Sequence, residues 1–135
     1  MKIVLILEDD VRLGASWQAA LEGAGYRVIR EVLAEDAIEV LKTEPVDLMI
    51  TDMLIRTPHG KITPKGGLSV IAYIRLHMVP GPPIIVATGA SPDLNIDKHA
   101  EALRANLVLE KPLKVETLLE HAARLLSGSA PRRSE

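Results

Sequence analysis

Three stretches of the chain are apolar without interruption, and they set its architecture. Ile3-Val4-Leu5-Ile6-Leu7, Leu48-Met49-Ile50 and Ile84-Ile85-Val86-Ala87 lack the alternation of a half-exposed strand. Short unbroken runs of this kind predict strands covered on both faces, as in the interior of a parallel sheet. Each stops at polar residues: Glu8-Asp9-Asp10 after the first, Thr51-Asp52 after the second, Thr88 at the end of the third. Two weaker runs accompany them. Arg27-Val28-Ile29-Arg30-Glu31 carries charges at both ends, as expected of an edge strand. Leu107-Val108-Leu109 is a short fifth strand leading into Glu110-Lys111-Pro112.

Between these runs the apolar period changes to that of a helix. Leu13, Trp17, Ala20, Leu21 and Ala24 form one stripe, stopped by Gly23 and Gly25, with Asp10 where an N-cap belongs. Ala34, Ala37, Ile38 and Leu41 form a second, closed before Pro45, and Leu68, Ile71, Ile74 and Met78 a third, ended by Pro80-Gly81-Pro82-Pro83. Residues 93 to 104 predict a weak fourth helix with few apolar anchors. Val115, Leu118, Leu119, Ala122 and Leu126 give the cleanest stripe. Residues 56 to 67, with Pro58, Pro64, Gly60, Gly66 and Gly67, read as a loop. Five strands alternating with five helices imply right-handed βαβ units: a doubly wound α/β fold with a five-stranded parallel sheet. One domain spans 1–126, and the polar tail 127–135 is expected to be disordered.

Composition narrows the function. A chain of 135 residues with 47% hydrophobic content is one globular domain with a full core. A net charge of −2 and only Trp17, Tyr26 and Tyr73 as aromatic side chains offer neither a basic field nor a stacking platform for nucleic acid. There is no cysteine, which suits a reducing compartment, and the run after Lys2 is too short for a signal peptide or a membrane span. The expectation is a cytoplasmic protein. His59, His77, His99 and His121 show no metal-ligand spacing.

If the strand order is 2-1-3-4-5, the first and third strands are neighbours at the point where the sheet reverses direction, and ligands bind there. Glu8, Asp9 and Asp52 then converge. Carboxylates so close repel unless a cation lies among them, and an all-oxygen cluster suits Mg²⁺. Thr88 offers a hydroxyl and Lys111 a mobile positive charge, so an anion can sit above Asp52. That is the equipment of phosphoryl transfer: a metal, a nucleophilic carboxylate and donors for the equatorial oxygens. Taken singly, each residue also has a plainer reading. Glu8 and Asp9 could be solvated turn acids, Thr88 a strand end, and Lys111 a surface lysine.

Together, Ile6-Leu7-Glu8-Asp9-Asp10, Asp47-Leu48-Met49-Ile50-Thr51-Asp52, Ala87-Thr88-Gly89 and Glu110-Lys111-Pro112 resemble the receiver domain of two-component response regulators, over about residues 2–126. The resemblance implies a flavodoxin-like sheet and assigns roles. Asp52 would accept a phosphoryl group from a sensor histidine kinase or histidine phosphotransfer protein. Glu8, Asp9, Asp52 and the Leu54 carbonyl would hold Mg²⁺. Thr88 and Lys111 would bind the phosphoryl oxygens, and Lys111-Pro112 would be a cis peptide. The protein would signal by phosphorylation-dependent contacts with another protein, as a stand-alone receiver that catalyses only its own phosphorylation and dephosphorylation. Homodimerisation stays open.

Some positions depart from that family. Receivers usually carry a proline where Arg56 stands and an aromatic switch residue where Val108 stands, and Gly89 replaces the more common alanine. Against the usual receiver loop the one after Asp52 carries an insertion of about seven residues, which also makes it longer than connection-length priors favour, and Arg56, Lys61 and Lys65 give it three positive charges with no acid. Two other functions remain. One is a Mg²⁺-dependent phosphatase of the haloacid-dehalogenase type, which needs an Asp-x-Asp pair where this chain has Glu8-Asp9-Asp10. The other is a receiver-like binding module that never uses phosphate.

Overall fold

The uninterrupted apolar runs occupy the middle of one sheet. In a computed structural model, residues 1–52, 55–56, 62–89 and 105–127 are described. They form, in order, β1 (Ile3–Leu7), α1 (Val11–Gly23), β2 (Arg27–Glu31), α2 (Ala34–Thr43), β3 (Leu48–Thr51), β4 (Ile55–Arg56), β5 (Ile62–Thr63), α3 (Pro64–His77), β6 (Ile84–Thr88), β7 (Leu107–Glu110) and α4 (Val115–Leu126). The main sheet has the order β2-β1-β3-β6-β7, every pair parallel. Counting those five strands alone this is 2-1-3-4-5, the flavodoxin-like order expected. The charge-flanked β2 is indeed an edge.

β1, β3 and β6 are buried at every residue, and their alternate side chains feed two separate cores. Ile3, Leu5, Leu7, Met49, Ile84 and Val86 meet Ala37 and Leu41 of α2 and Val70, Ile71 and Ile74 of α3. Val4, Ile6, Leu48, Ile50, Ile85 and Ala87 face the other way, against Trp17 and Leu21 of α1 and Leu118, Ala122 and Leu126 of α4. Among the described residues, helices pack on both faces of the sheet, and its strand ends carry the polar residues.

Local chemistry fixes those ends. Asp10 caps α1 by accepting from the Leu13 N–H at 3.1 Å, as its position predicts. Gly25 takes φ 101°, which turns the chain from α1 into β2 without a Cβ penalty. The two acids that flank β3 have opposite fates. Asp47 exchanges bonds with Ile3, its Oδ2 accepting from the Ile3 N–H at 2.8 Å and its own N–H donating to the Ile3 carbonyl at 2.8 Å, so it is a structural tie. Asp52, at the other end, belongs to the mouth of the sheet.

The segment 56–67 differs from a plain loop. β4 and β5 pair antiparallel, Ile55 opposite Thr63 and Arg56 opposite Ile62, and α3 starts at Pro64 rather than near Leu68. The ladder gives backbone groups partners that a loop leaves to water, and β-branched Ile55, Ile62 and Thr63 favour it. Proline at the first helical position is pre-organised for a helix, so Pro64 opens α3 instead of preventing it. The Lys111–Pro112 peptide is cis, as the resemblance implied, and so is Val79–Pro80. No helix among the described residues is long and apolar enough to cross a membrane. The expected weak helix at 93–104, Leu54, Lys61 and the tail from 128 lie outside the described residues.

Candidate functional site

Strand register brings the first two acids together. Leu7 pairs with Thr51 across β1 and β3, and the Asp52 N–H donates to the Leu7 carbonyl at 3.1 Å. The residues that follow, Glu8 and Asp52, therefore leave the sheet side by side. On the other flank Thr88 pairs with Glu110, and the Lys111 N–H donates to the Thr88 carbonyl at 3.0 Å. This ties Lys111 to the end of β6. Four positions from distant parts of the sequence meet at one rim.

The rim is buried. Glu8, Asp52 and Thr88 keep 3%, 5% and 4% of their surface, too little for water to solvate a free carboxylate. The Lys111 ammonium bridges the acids, with Nζ 2.6 Å from Glu8 Oε1 and 2.5 Å from Asp52 Oδ2. Glu8 Oε2 accepts from the Asp10 N–H at 3.0 Å, so both Glu8 oxygens are engaged. Burial raises the Glu8 pKa above its ordinary value; the Lys111 hydrogen bond works against this and the Asp52 charge adds to it. For Lys111, burial pulls downward, and the hydrogen bonds to Asp52 and Glu8 more than reverse it, so its pKa ends raised. At neutral pH the lysine is a full cation.

Of the residues singled out from sequence, Glu8, Asp52, Thr88 and Lys111 are brought together, and Asp9 is half-buried beside Glu8 at the end of β1. Asp10 is spent on the cap. Leu54 lies outside the described residues. No three acidic or histidine side chains among the described residues are grouped as a metal centre; instead an ammonium stands between two of the acids. By formal charge, Glu8 and Asp52 against Lys111 leave one negative charge, and Asp9 adds another. Carboxylate oxygens are hard donors, so the donor set fits Mg²⁺. For a phosphatase of the haloacid-dehalogenase type, Glu8 would take the nucleophile's place. Its oxygens are held by Lys111 and the Asp10 N–H, and Asp10 is held by α1.

Two positions near the rim depart from the usual receiver pattern. Val108, where receivers usually carry an aromatic residue, points into the core shared by β1, α2 and α3. Gly89 leaves room for the commoner alanine, since a Cβ there meets the Lys111 Cβ at 3.6 Å, an ordinary contact. Trp17 belongs to the apolar stripe of α1 and lies in the core, as helical spacing predicts. The structure also puts its ring beneath Lys111, with Nζ 5.9 Å from the centroid. No local pattern announces such a contact, because it is made only when α1 and the chain after β7 pack on the same side of the sheet.

Comparison with known proteins gives one consistent result. A family model, the response regulator receiver domain, matches residues 4–123. The response regulator receiver protein CpdR of Brucella abortus is 26% identical over 126 residues, covering 93% of this chain and 98% of that protein. The transcriptional regulatory protein ZraR of Salmonella typhimurium is 27% identical over 126 residues, 92% of this chain but 26% of that protein. Among solved structures, a CheY-like receiver domain protein from Methanospirillum hungatei superposes with a TM-score of 0.79 at 24% identity, covering 94% of each chain, which speaks for the fold.

Proposed function

The chain belongs to the response regulator receiver domain family of two-component systems, and from that premise we propose that Asp52 is its phosphoacceptor. A carboxylate oxygen of Asp52 attacks the phosphorus of a phosphohistidine on a kinase or phosphotransfer protein. The O–P bond forms as the N–P bond breaks, and the histidine nitrogen keeps the electron pair. Lys111 and the Thr88 hydroxyl meet the equatorial oxygens on which negative charge accumulates. Glu8, Asp9 and Asp52, with the Leu54 carbonyl, would hold Mg²⁺, which supplies charge neutralisation for both the crowded acids and the incoming phosphoryl group. The observation that carries this reading is the Lys111 ammonium bridging Glu8 and Asp52 at the ends of β1 and β3. Those acids are too buried to solvate, and a cation already answers their charge.

Incubation with acetyl phosphate and Mg²⁺, followed by intact mass measurement and Phos-tag electrophoresis, tests it. We expect one base-labile phosphoryl adduct per chain in Mg²⁺ and none in EDTA. Asp9→Asn is expected to weaken Mg²⁺ binding and suppress labelling together. Labelling that is equal in EDTA would remove the metal from the account.

The β4–β5 segment supports a partner-facing role. It follows Asp52 closely in the sequence, and residues 56–67 carry Arg56, Lys61 and Lys65 with no acid among them. Charges at a rim act mainly on encounter rate and are screened by salt. Replacing Lys61 and Lys65 with Ser is expected to slow transfer from the cognate phosphodonor protein at low salt and leave acetyl phosphate labelling unchanged. Equal slowing with both donors would mean that the segment shapes the site itself.

A further inference from the structure

The protein has one tryptophan, and it lies under the lysine of the proposed site. Trp17 is fully buried on α1, packed in the core that contains Val4, Ile6, Leu21 and Ile50. Its ring lies 5.9 Å from Lys111 Nζ, inside the range of about 6 Å within which an aromatic face attracts an ammonium. A second observation concerns the other side of the indole: Nε1 is buried and has no hydrogen-bond partner among the described residues. An unpartnered buried donor costs stability, and leucine, isoleucine or phenylalanine would fill an apolar core without one. What indole adds over these side chains is the strongest cation-attracting face, and Lys111 sits over it.

Lysine has four rotatable carbons and loses considerable freedom when its head is fixed. The Lys111 backbone is held by its N–H on the Thr88 carbonyl, and its head by Glu8, Asp52 and the ring. The contact with Asp52 must change when that carboxylate carries a phosphoryl group, whereas the ring stays. We propose that Trp17 is a positioning residue for phosphoryl transfer: its buried indole face keeps the Lys111 ammonium at the strand ends, where the phosphoryl oxygens arrive. This rests on the reading of Asp52 as phosphoacceptor.

The test compares Trp17→Phe with Trp17→Leu. Both shrink the side chain and remove the unpartnered N–H, but only phenylalanine keeps a π face. At saturating Mg²⁺, acetyl phosphate labelling of the Leu variant is expected to be about five-fold slower than that of the Phe variant, with similar melting temperatures. Equal labelling rates would overturn the proposal, since a purely structural role treats the two alike. A second measurement needs no phosphorylation. Tryptophan emission in EDTA is expected to change in Lys111→Met, with Lys111→Gln as the substitute if near-ultraviolet circular dichroism shows the first to be unfolded. Unchanged emission in a folded variant would overturn the contact. If wild-type protein takes no label while emission does respond to the lysine, the fault lies in the Asp52 reading and not in the contact.

Discussion

Replacing Asp52 with Asn is expected to abolish labelling by acetyl phosphate and by any cognate phosphodonor while leaving the fold intact. The amide keeps the shape of the carboxylate but is neutral and a poor nucleophile, so the O–P bond does not form. The rest of the rim argues that no neighbour takes over. Glu8 has both oxygens engaged, by Lys111 and by the Asp10 N–H, and Asp10 is tied to Leu13 at the start of α1. Stability should hold to within about 1 kcal/mol, because the amide gives up the ion pair with Lys111 but also relieves the Asp52 charge that opposes Glu8. Intact mass and Phos-tag electrophoresis read the first outcome, and thermal melting the second. Labelling at wild-type stoichiometry would place the acceptor elsewhere.

The sheet and the candidate site were legible in the sequence for the same reason. A strand buried on both faces is apolar along most of its length, so polar residues gather where it leaves the core. In this chain the candidate site side chains lie where the polar residues set in: Glu8 directly after Leu7, Asp52 one residue beyond the buried Thr51, and Lys111 after Glu110, the last residue of β7. Strand ends and site members are therefore marked by one transition. The β4–β5 ladder was not legible, because two-residue strands are shorter than any period and Pro64 reads equally as a breaker or as a helix opener. The dual use of the rim acids was only partly visible. Asp10 was separable from Glu8 and Asp9 by its N-cap position, and the cap on Leu13 bears that out; the Lys111 bridge between Glu8 and Asp52 was not readable. The contact of Trp17 with Lys111 leaves no trace in spacing, since a fully buried helical position looks the same whether its neighbour is a leucine or an ammonium. Val108 shows the reverse: its identity, read against the family, already announces that no aromatic side chain moves there, and the structure adds that the valine packs, partly buried, against the core.

Replacing Lys111 with Met is expected to destabilise the metal-free protein by about 2–3 kcal/mol at neutral pH, a drop in melting temperature of roughly 10 °C. Methionine keeps most of the aliphatic stem, so the loss is chiefly that of the cation. It leaves Glu8 and Asp52, whose side chains are 1% and 8% exposed, facing each other with the bridging charge removed. The pH dependence identifies the cause. In the wild type, burial already raises the Glu8 pKa above the ordinary 4.5, and Lys111 opposes that rise through its hydrogen bond and its charge. Without the lysine the folded-state value climbs further. A carboxyl group whose folded pKa is raised contributes stability that is fully present below its unfolded pKa and is lost as pH rises through the folded one. The variant's deficit should therefore be small below pH 4.5 and grow to its full size towards neutrality. At the alkaline end the sign comes from the lysine. Its pKa is raised above 10.5 in the fold, so its contribution is fully present below 10.5 and lost as pH rises through the folded value. Wild type and variant should then converge again in strong alkali. Melting curves in EDTA across this range decide the matter, and Glu8→Gln added to Lys111→Met should recover part of the loss. Mg²⁺ should stabilise Lys111→Met more than wild type, since it supplies the charge that the substitution removed. A deficit that stays flat across the pH range, and that neither Glu8→Gln nor Mg²⁺ reduces, would assign Lys111 a packing role and take the electrostatic account of the rim with it.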